Sequence, residues 1–156
     1  MARVKKEKAP GEKKESAPRA SKKKVHMLVT RGKRKESIAR ASVKKGKGVV
    51  RINSQLLDTI SHPYAREMMR EPLLMAGPLA SDLDISVSVH GGGQMGQAEA
   101  SRLAIARAIV QFTGSEELKS RMLERDRSMV VEDVRRVEPK KYKGPKARAR
   151  FQKSYR

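Results

Sequence analysis

Residues 83–112 constrain this chain more than any other stretch. Leu83, Ile85, Val87 and Val89 alternate with Asp84, Ser86, Ser88 and His90, a period of two that fits a strand with one buried face. Three glycines, Gly91, Gly92 and Gly93, follow. Ala98, Ser101, Ile105, Ala108, Ile109 and Phe112 then recur at helical spacing, with Leu103, Ala106 and Val110 as a second apolar stripe. A helix with two such stripes is covered twice, once by a sheet and once by another helix. The stretch therefore predicts an α/β (α+β) fold in two layers, with a glycine turn joining strand to helix.

The flanking sequence extends this reading. Val25–Val29 is a candidate first strand, and Ala39, Ala41 and Val43 share one face of a second. "KKGKG" (44–48) is a turn, and Val50 and Ile52 mark a returning strand, so the two strands read as a hairpin. Ser54 stands where a helix N-cap belongs, before "QLLDTI", and Pro63 opens a second helical piece, "YAREMMRE". "SEELKSRMLERD", after a break at Gly114, offers Leu118, Met122 and Leu123 as the cover for the long helix. The predicted order is βββ-α-β-α.

Gly91, Gly93 and Gly96 spell G-x-G-x-x-G, the pattern of a dinucleotide loop. Such a loop needs a second parallel strand after its helix, ending in an acidic residue. Here another charged helix follows, which puts Glu116 and Glu117 in the wrong element. His26, His62 and His90 lack ligand spacing, and Asp82 with Asp84 reads as a solvated strand face. No catalytic group, metal site, cofactor or small-molecule substrate is expected. What the glycines can offer is bare backbone N–H groups close to an anion at the start of a helix, or a tight turn with no ligand. In either case a side chain at Gly92 or Gly93 should obstruct the loop.

Charge points to the partner. The 156 residues hold 37 Lys and Arg against 17 Asp and Glu, net +20. Residues 1–24 carry +7, residues 25–137 carry +6 and residues 138–156 carry +7. The middle segment has the balance of an ordinary domain. The first segment has too few apolar residues to offset ordering entropy and reads as a disordered basic extension. The last reads as an extended basic tail that cannot fold on itself. Such an excess of cations suits a polyanion. There is no cysteine to build a disulfide or thiolate site. The most apolar run, "PLLMAGPLA", is short and broken by Pro and Gly, so no membrane partner is expected.

Several motifs carry a resemblance. "GGGQMGQAEASRLAIARAI" resembles the signature of the universal S-nine family of small-subunit ribosomal proteins, and "TRGKRKESIARASVKKGKGVVRIN" resembles its N-terminal block. "DRSMVVEDVRRVEPKKYKG" resembles the block before its tail and "KARARFQKSYR" its C-terminus, the last of archaeal type. The match runs in order over residues 25–156. Lys146 stands where the family pattern has glycine, and residues 1–24 have no counterpart in it.

The resemblance implies a left-handed crossover within the fold. It also implies a non-catalytic component of the small-subunit head, in contact with small-subunit rRNA, neighbouring ribosomal proteins and peptidyl-site tRNA. Its terminal arginine is placed on the tRNA, which here is Arg156, beside Lys153, Ser154 and Tyr155. For rRNA the candidates are Arg31, Lys33, Arg34 and Lys35, the loop residues Gly91, Gly92, Gly93 and Gln97, and Lys140, Lys141, Lys143, Arg148 and Arg150. In the tail these cations interleave with Tyr142, Phe151 and Tyr155, which can stack on exposed bases. Fully extended, the nineteen residues of the tail reach roughly 60–70 Å. The competing reading is a small basic architectural DNA-binding protein, for which no recognition helix or β-ribbon arm is visible.

Overall fold

The computed structural model of the chain describes residues 27–142 and 144–154. The extension 1–24, with Val25, His26, Lys143, Tyr155 and Arg156, lies outside the described residues. Strand β5, Leu83–His90, has the predicted alternation, with Leu83, Ile85, Val87 and Val89 buried. It sits in the middle of a five-stranded sheet of order β1-β2-β5-β3-β4, with β1 Leu28–Arg34, β2 Ser37–Lys45, β3 Val50–Ile52 and β4 Gln55–Leu56. Helices α1 (Pro63–Ala76), α2 (Pro78–Ser81), α3 (Gln94–Thr113) and α4 (Glu116–Arg125) complete the domain. Chain order is thus the predicted one, with one added strand, β4, where the sequence predicted the start of a helix.

Three expectations are corrected. The first strand begins at Leu28 and runs on through the "TRGKR" cluster, which belongs to a strand and not to a loop. β2 and β3 do not pair. β5 lies between them, antiparallel to β2 (Ala41 opposite Val87) and parallel to β3 (Ile52 opposite Val87). The 46–49 loop spans that gap and is pinned by Asp84, whose Oδ1 accepts the backbone N–H of Lys47 at 2.8 Å and of Val49 at 3.2 Å. Those two N–H groups hold the Asp84 carboxyl below its usual range. Finally, Ser54 caps no helix. Asn53 and Ser54 have φ of +47° and +73°, two positive values that make the two-residue turn of a β3–β4 hairpin. The Asn53 amide also exchanges hydrogen bonds with the Val89 backbone at 2.8 and 3.0 Å, tying that turn to β5.

All of α3 lies against the sheet and α1. Ile105 and Ile109 are fully buried, a gain of about 1.5–3 kcal/mol each. The approach to β1 is set by small residues. A Cβ on Gly32 would meet Ala104 N at 2.7 Å, and Thr30 Oγ1 donates to Ala104 O at 2.9 Å. The principal helix against α3 is α1, whose Ala65 and Met69 lie beside Ala98 and Ser101, while α4 touches α3 less extensively than the sequence suggested. Helix α4 contributes Leu118 and Met122 to the core, while Leu123 stays at the surface. The guanidinium of Arg102 joins these layers, pairing with Glu71 of α1 and with Asp126, both at 2.7 Å. Arg102 is nearly buried while both carboxylates keep contact with solvent, so losing either one leaves the guanidinium charge poorly compensated.

The glycine loop is a turn packed on the β1–β2 hairpin tip. Gly91 and Gly92 have φ of +77° and +62°. A Cβ on Gly91 would meet Glu36 O at 2.5 Å, and one on Gly92 would strike Ser37 Oγ. Ser37 Oγ donates to Gly91 O at 3.0 Å, and Gln97 Nε2 donates to the same oxygen at 3.1 Å. Gly93 differs. Its φ is −107° and nothing lies within 4 Å of its Cβ position, so the expected obstruction there is withdrawn.

After α4 the chain crosses the free side of α3 and β1 as an irregular strap. Arg107 Nε donates to Val130 O at 2.8 Å and its Nη1 to Arg31 O at 2.9 Å. Arg34 is ion-paired to both Glu99 and Asp133. Arg135 bonds Asp133 through its side chain and its backbone N–H, and with the Arg34 charge this lowers the Asp133 carboxyl to about 2. Its folded value lies below its unfolded one, so the stability it contributes is whole above about pH 4 and is lost as pH falls through about 2.

Two predictions follow from this packing. Gly92→Ser should lower stability by about 1–3 kcal/mol through positive φ and the clash with Ser37, whereas Gly93→Ser supplies an N-cap hydroxyl and should be neutral or stabilising. Equal losses in thermal unfolding would contradict the geometry. In the same assay, Asp133→Asn should lower Tm at neutral pH, and the gap to the parent should close between about pH 4 and pH 2. A gap that persists at pH 2 would show that Asp133 does not hold the strap by charge.

Candidate nucleic-acid interface

The cations singled out in the sequence fall into two groups. Arg31, Lys33, Arg34 and Lys35 line the outer end of β1 and the hairpin turn, where Lys35 has φ of +53°. Arg34 is turned inward onto Glu99 and Asp133. It is mostly buried and neutralised, a strap anchor. Arg31 is 65% exposed and only loosely paired, 3.5 Å from Glu132. Lys33 and Lys35 enter no ion pair among the described residues, so this tip presents Arg31, Lys33 and Lys35 to solvent.

The glycine turn lies beside that tip, because Gly91 and Gly92 pack on Glu36 and Ser37. Gly91, Gly92 and Gly93 are exposed, and Gly93 leads into the N-terminus of α3, where no side chain caps the helix. The turn and the "TRGKRKES" cluster, remote in sequence, thus form one end of the domain. Gln97 spends one of its two amide N–H donors on Gly91 O.

Residues 130–154 contain no helix or strand among those described, yet the segment is not straight. Arg148 reaches back ten residues to Glu138, at 2.5 Å from Oε1, and Arg150 Nη1 donates to Tyr142 O at 3.1 Å. Ten extended residues would separate those groups by about 33 Å. The tail therefore doubles back, contrary to the expectation of no self-contact. The bend passes through Gly144, which is buried and whose Cβ would meet Lys146 O at 3.2 Å. Arg148 holds the Glu138 carboxyl below its ordinary range, and Glu138 in turn raises Arg148. Lys140, Lys141, Lys146 and Lys153 are exposed and unpaired among the described residues. Tyr142 and Phe151 are 87% and 67% exposed.

Other chemistry is thinly represented. No group of three or more His, Asp or Glu among the described residues could hold a metal ion, and no helix there is long and apolar enough to cross a membrane. His62 caps α1, its Nδ1 accepting from Ala65 N at 3.2 Å. Asp84 pins a turn. Both have structural work.

Comparison with known proteins fits this arrangement. The family described as ribosomal protein S9/S16 matches residues 32–156. Small ribosomal subunit protein uS9 of Desulfurococcus amylolyticus is 51% identical over 133 residues, covering 85% of this chain and 95% of the relative. Its namesake in Thermoplasma acidophilum is 50% identical over 83% of this chain and 100% of its own length. That of Halobacterium salinarum is 51% identical over 81% and 97%. The chain belongs to the ribosomal protein S9/S16 family, as a structural protein of the small ribosomal subunit and not an enzyme.

Proposed function

We propose that this chain binds small-subunit rRNA through two surfaces of its own and contacts peptidyl-site tRNA with its C-terminal end. The first surface is the hairpin tip with the adjoining glycine turn, Arg31, Lys33, Lys35 and Gly91–Gly93. The second is the tail cations Lys140, Lys141, Lys143, Arg148 and Arg150. On this reading residues 25–137 are the packed domain, residues 1–24 a basic extension and residues 138–156 the RNA-facing tail. Neighbouring proteins of the subunit head are the remaining partners.

The observation that carries the proposal is the way the charge is sorted. Arg34, Arg102 and Arg107 are consumed inside the fold, whereas the tail lysines project from irregular backbone with no carboxylate of their own. Cations held apart in this way neutralise phosphates and release counterions. The exposed aromatics beside them can stack on bases or riboses. Arg156 ends the chain, and its planar guanidinium suits a phosphate contact on tRNA.

Deleting Lys153–Arg156 removes two cations and no position of an apolar repeat. Domain stability should change by no more than about 0.5 kcal/mol, and subunits should still assemble. Dissociation of tRNA from the peptidyl site of subunits carrying the deletion should accelerate. Arg156→Ala should show a smaller defect and Arg156→Lys partial recovery. Unchanged dissociation with the four-residue deletion, at low and moderate salt alike, would overturn the tRNA role.

A further inference from the structure

The helices all pack on one face of the sheet and leave the other bare. The bare face is read off the register. Arg31 on β1 lies opposite Arg40 on β2, which lies opposite Ser88 on β5. In the next row Val29, Ser42, Ser86 and Arg51 follow one another across β1, β2, β5 and β3. Val29 is 61% exposed, and Arg40, Arg51, Ser86 and Ser88 are exposed as well. Small serines in the central strand leave a shallow trough, lined by Arg40, Ser42, Arg51, Ser86 and Ser88. Among the described residues neither Arg40 nor Arg51 takes a side-chain hydrogen bond or an ion pair. The one carboxylate on the strands of this face, Asp84, sits at its end and is spent on the 46–49 loop.

We propose that this bare sheet face is an additional RNA-docking surface, on which Arg40 and Arg51 grip phosphates and the central serines donate to backbone oxygens. The inference rests on the reading that the chain binds rRNA, and it extends the hairpin-tip surface from Arg31 across the sheet to Arg40 and Arg51, which the tip and the tail do not include. Charge complementarity selects the occupant. Two unpaired arginines, two strands and one row apart across the sheet, with no acidic neighbour between them, would leave uncompensated cations against an apolar or basic protein partner. No Phe, Tyr or Trp lies on these strands, so contacts from arginines and serines to the phosphodiester backbone dominate on this face. Ser86 and Ser88 have room to let that backbone approach the strand closely.

The test is binding of the full chain to naked small-subunit rRNA across a salt series, with Arg40→Gln, Arg51→Gln and Ser86→Glu. Each arginine variant should weaken binding about 5- to 8-fold near 0.1 M salt and reduce the log–log salt slope by about 0.7–0.9. The arginine variants should melt with the parent, and Arg→Lys at either position should restore most of the slope. Ser86→Glu, which puts a carboxylate between the arginines, should weaken binding at least as much. Parental affinity and slope in all three variants would overturn the sheet-face surface while leaving the broader rRNA reading standing. Parental RNA binding coupled with failure to enter subunits would overturn it in favour of a protein partner. Salt-independent binding by the parent itself would overturn both.

Discussion

How closely α3 lies on β1 decides the rest of this structure. The helix axis can come that near only because Gly32 presents no side chain and Ala100 and Ala104 present almost none. Thr30 then uses the proximity to donate into the helix backbone. Once the helix is seated there, its first turn must start beside the β1–β2 tip, and Gly91 and Gly92 are the residues that let β5 reach that point against Glu36 and Ser37. The same seat leaves Arg34 and Arg107 at the outer edge of α3 and β1, where they catch the strap at Asp133 and Val130. The glycine motif is thus a consequence of close helix–strand packing. Its function reading as a phosphate site is secondary to that.

A net charge of +20 is tolerable because the cations are divided by environment. Arg34, Arg102 and Arg107 work as structural clamps, held by carboxylates or backbone carbonyls, and Arg102 reaches 8% exposure doing so, with its Nε left without a partner. Others on α1, α4 and the strap are paired with carboxylates at the surface, and the tail, the hairpin tip and the bare sheet face hold unpaired ones in water. Self-repulsion there is weak, since screening at physiological salt acts over about 8 Å. A polyanion gains what the free protein leaves unpaired.

The sequence was most legible where one period ran without interruption. Leu83–Val89 alternates cleanly, and its buried face is as read. The stripes of α3 likewise fix its burial on two sides. Period says which face is buried but not which strand lies next door, so β2 and β3 looked like a hairpin although β5 separates them. Ser54 misled for a related reason. Serine serves both helix caps and turns, and the positive φ that decides between them at Asn53 and Ser54 is set by pairing with β5 and β4. Arg34 could not be told from Arg31 or Lys35 by sequence, because its partners Glu99 and Asp133 lie 65 and 99 residues away. Arg102 was missed for the same reason. The tail's bend is held by Arg148 on Glu138 and Arg150 on the Tyr142 carbonyl, and a charge run gives no sign of which members will meet.

The chain has no cysteine, so single cysteines introduced at exposed positions give unique attachment points for a hydroxyl-radical source. With the probe at Ser86 on the bare sheet face, at Ser154 in the tail or at Glu117 on α4, cleavage of rRNA and bound tRNA in assembled subunits maps what each surface faces. Strong rRNA cleavage from Ser86, tRNA cleavage from Ser154 and little of either from the acidic start of α4 is the result this account predicts. Strong cleavage from Glu117 together with none from Ser86 and Ser154 would contradict it.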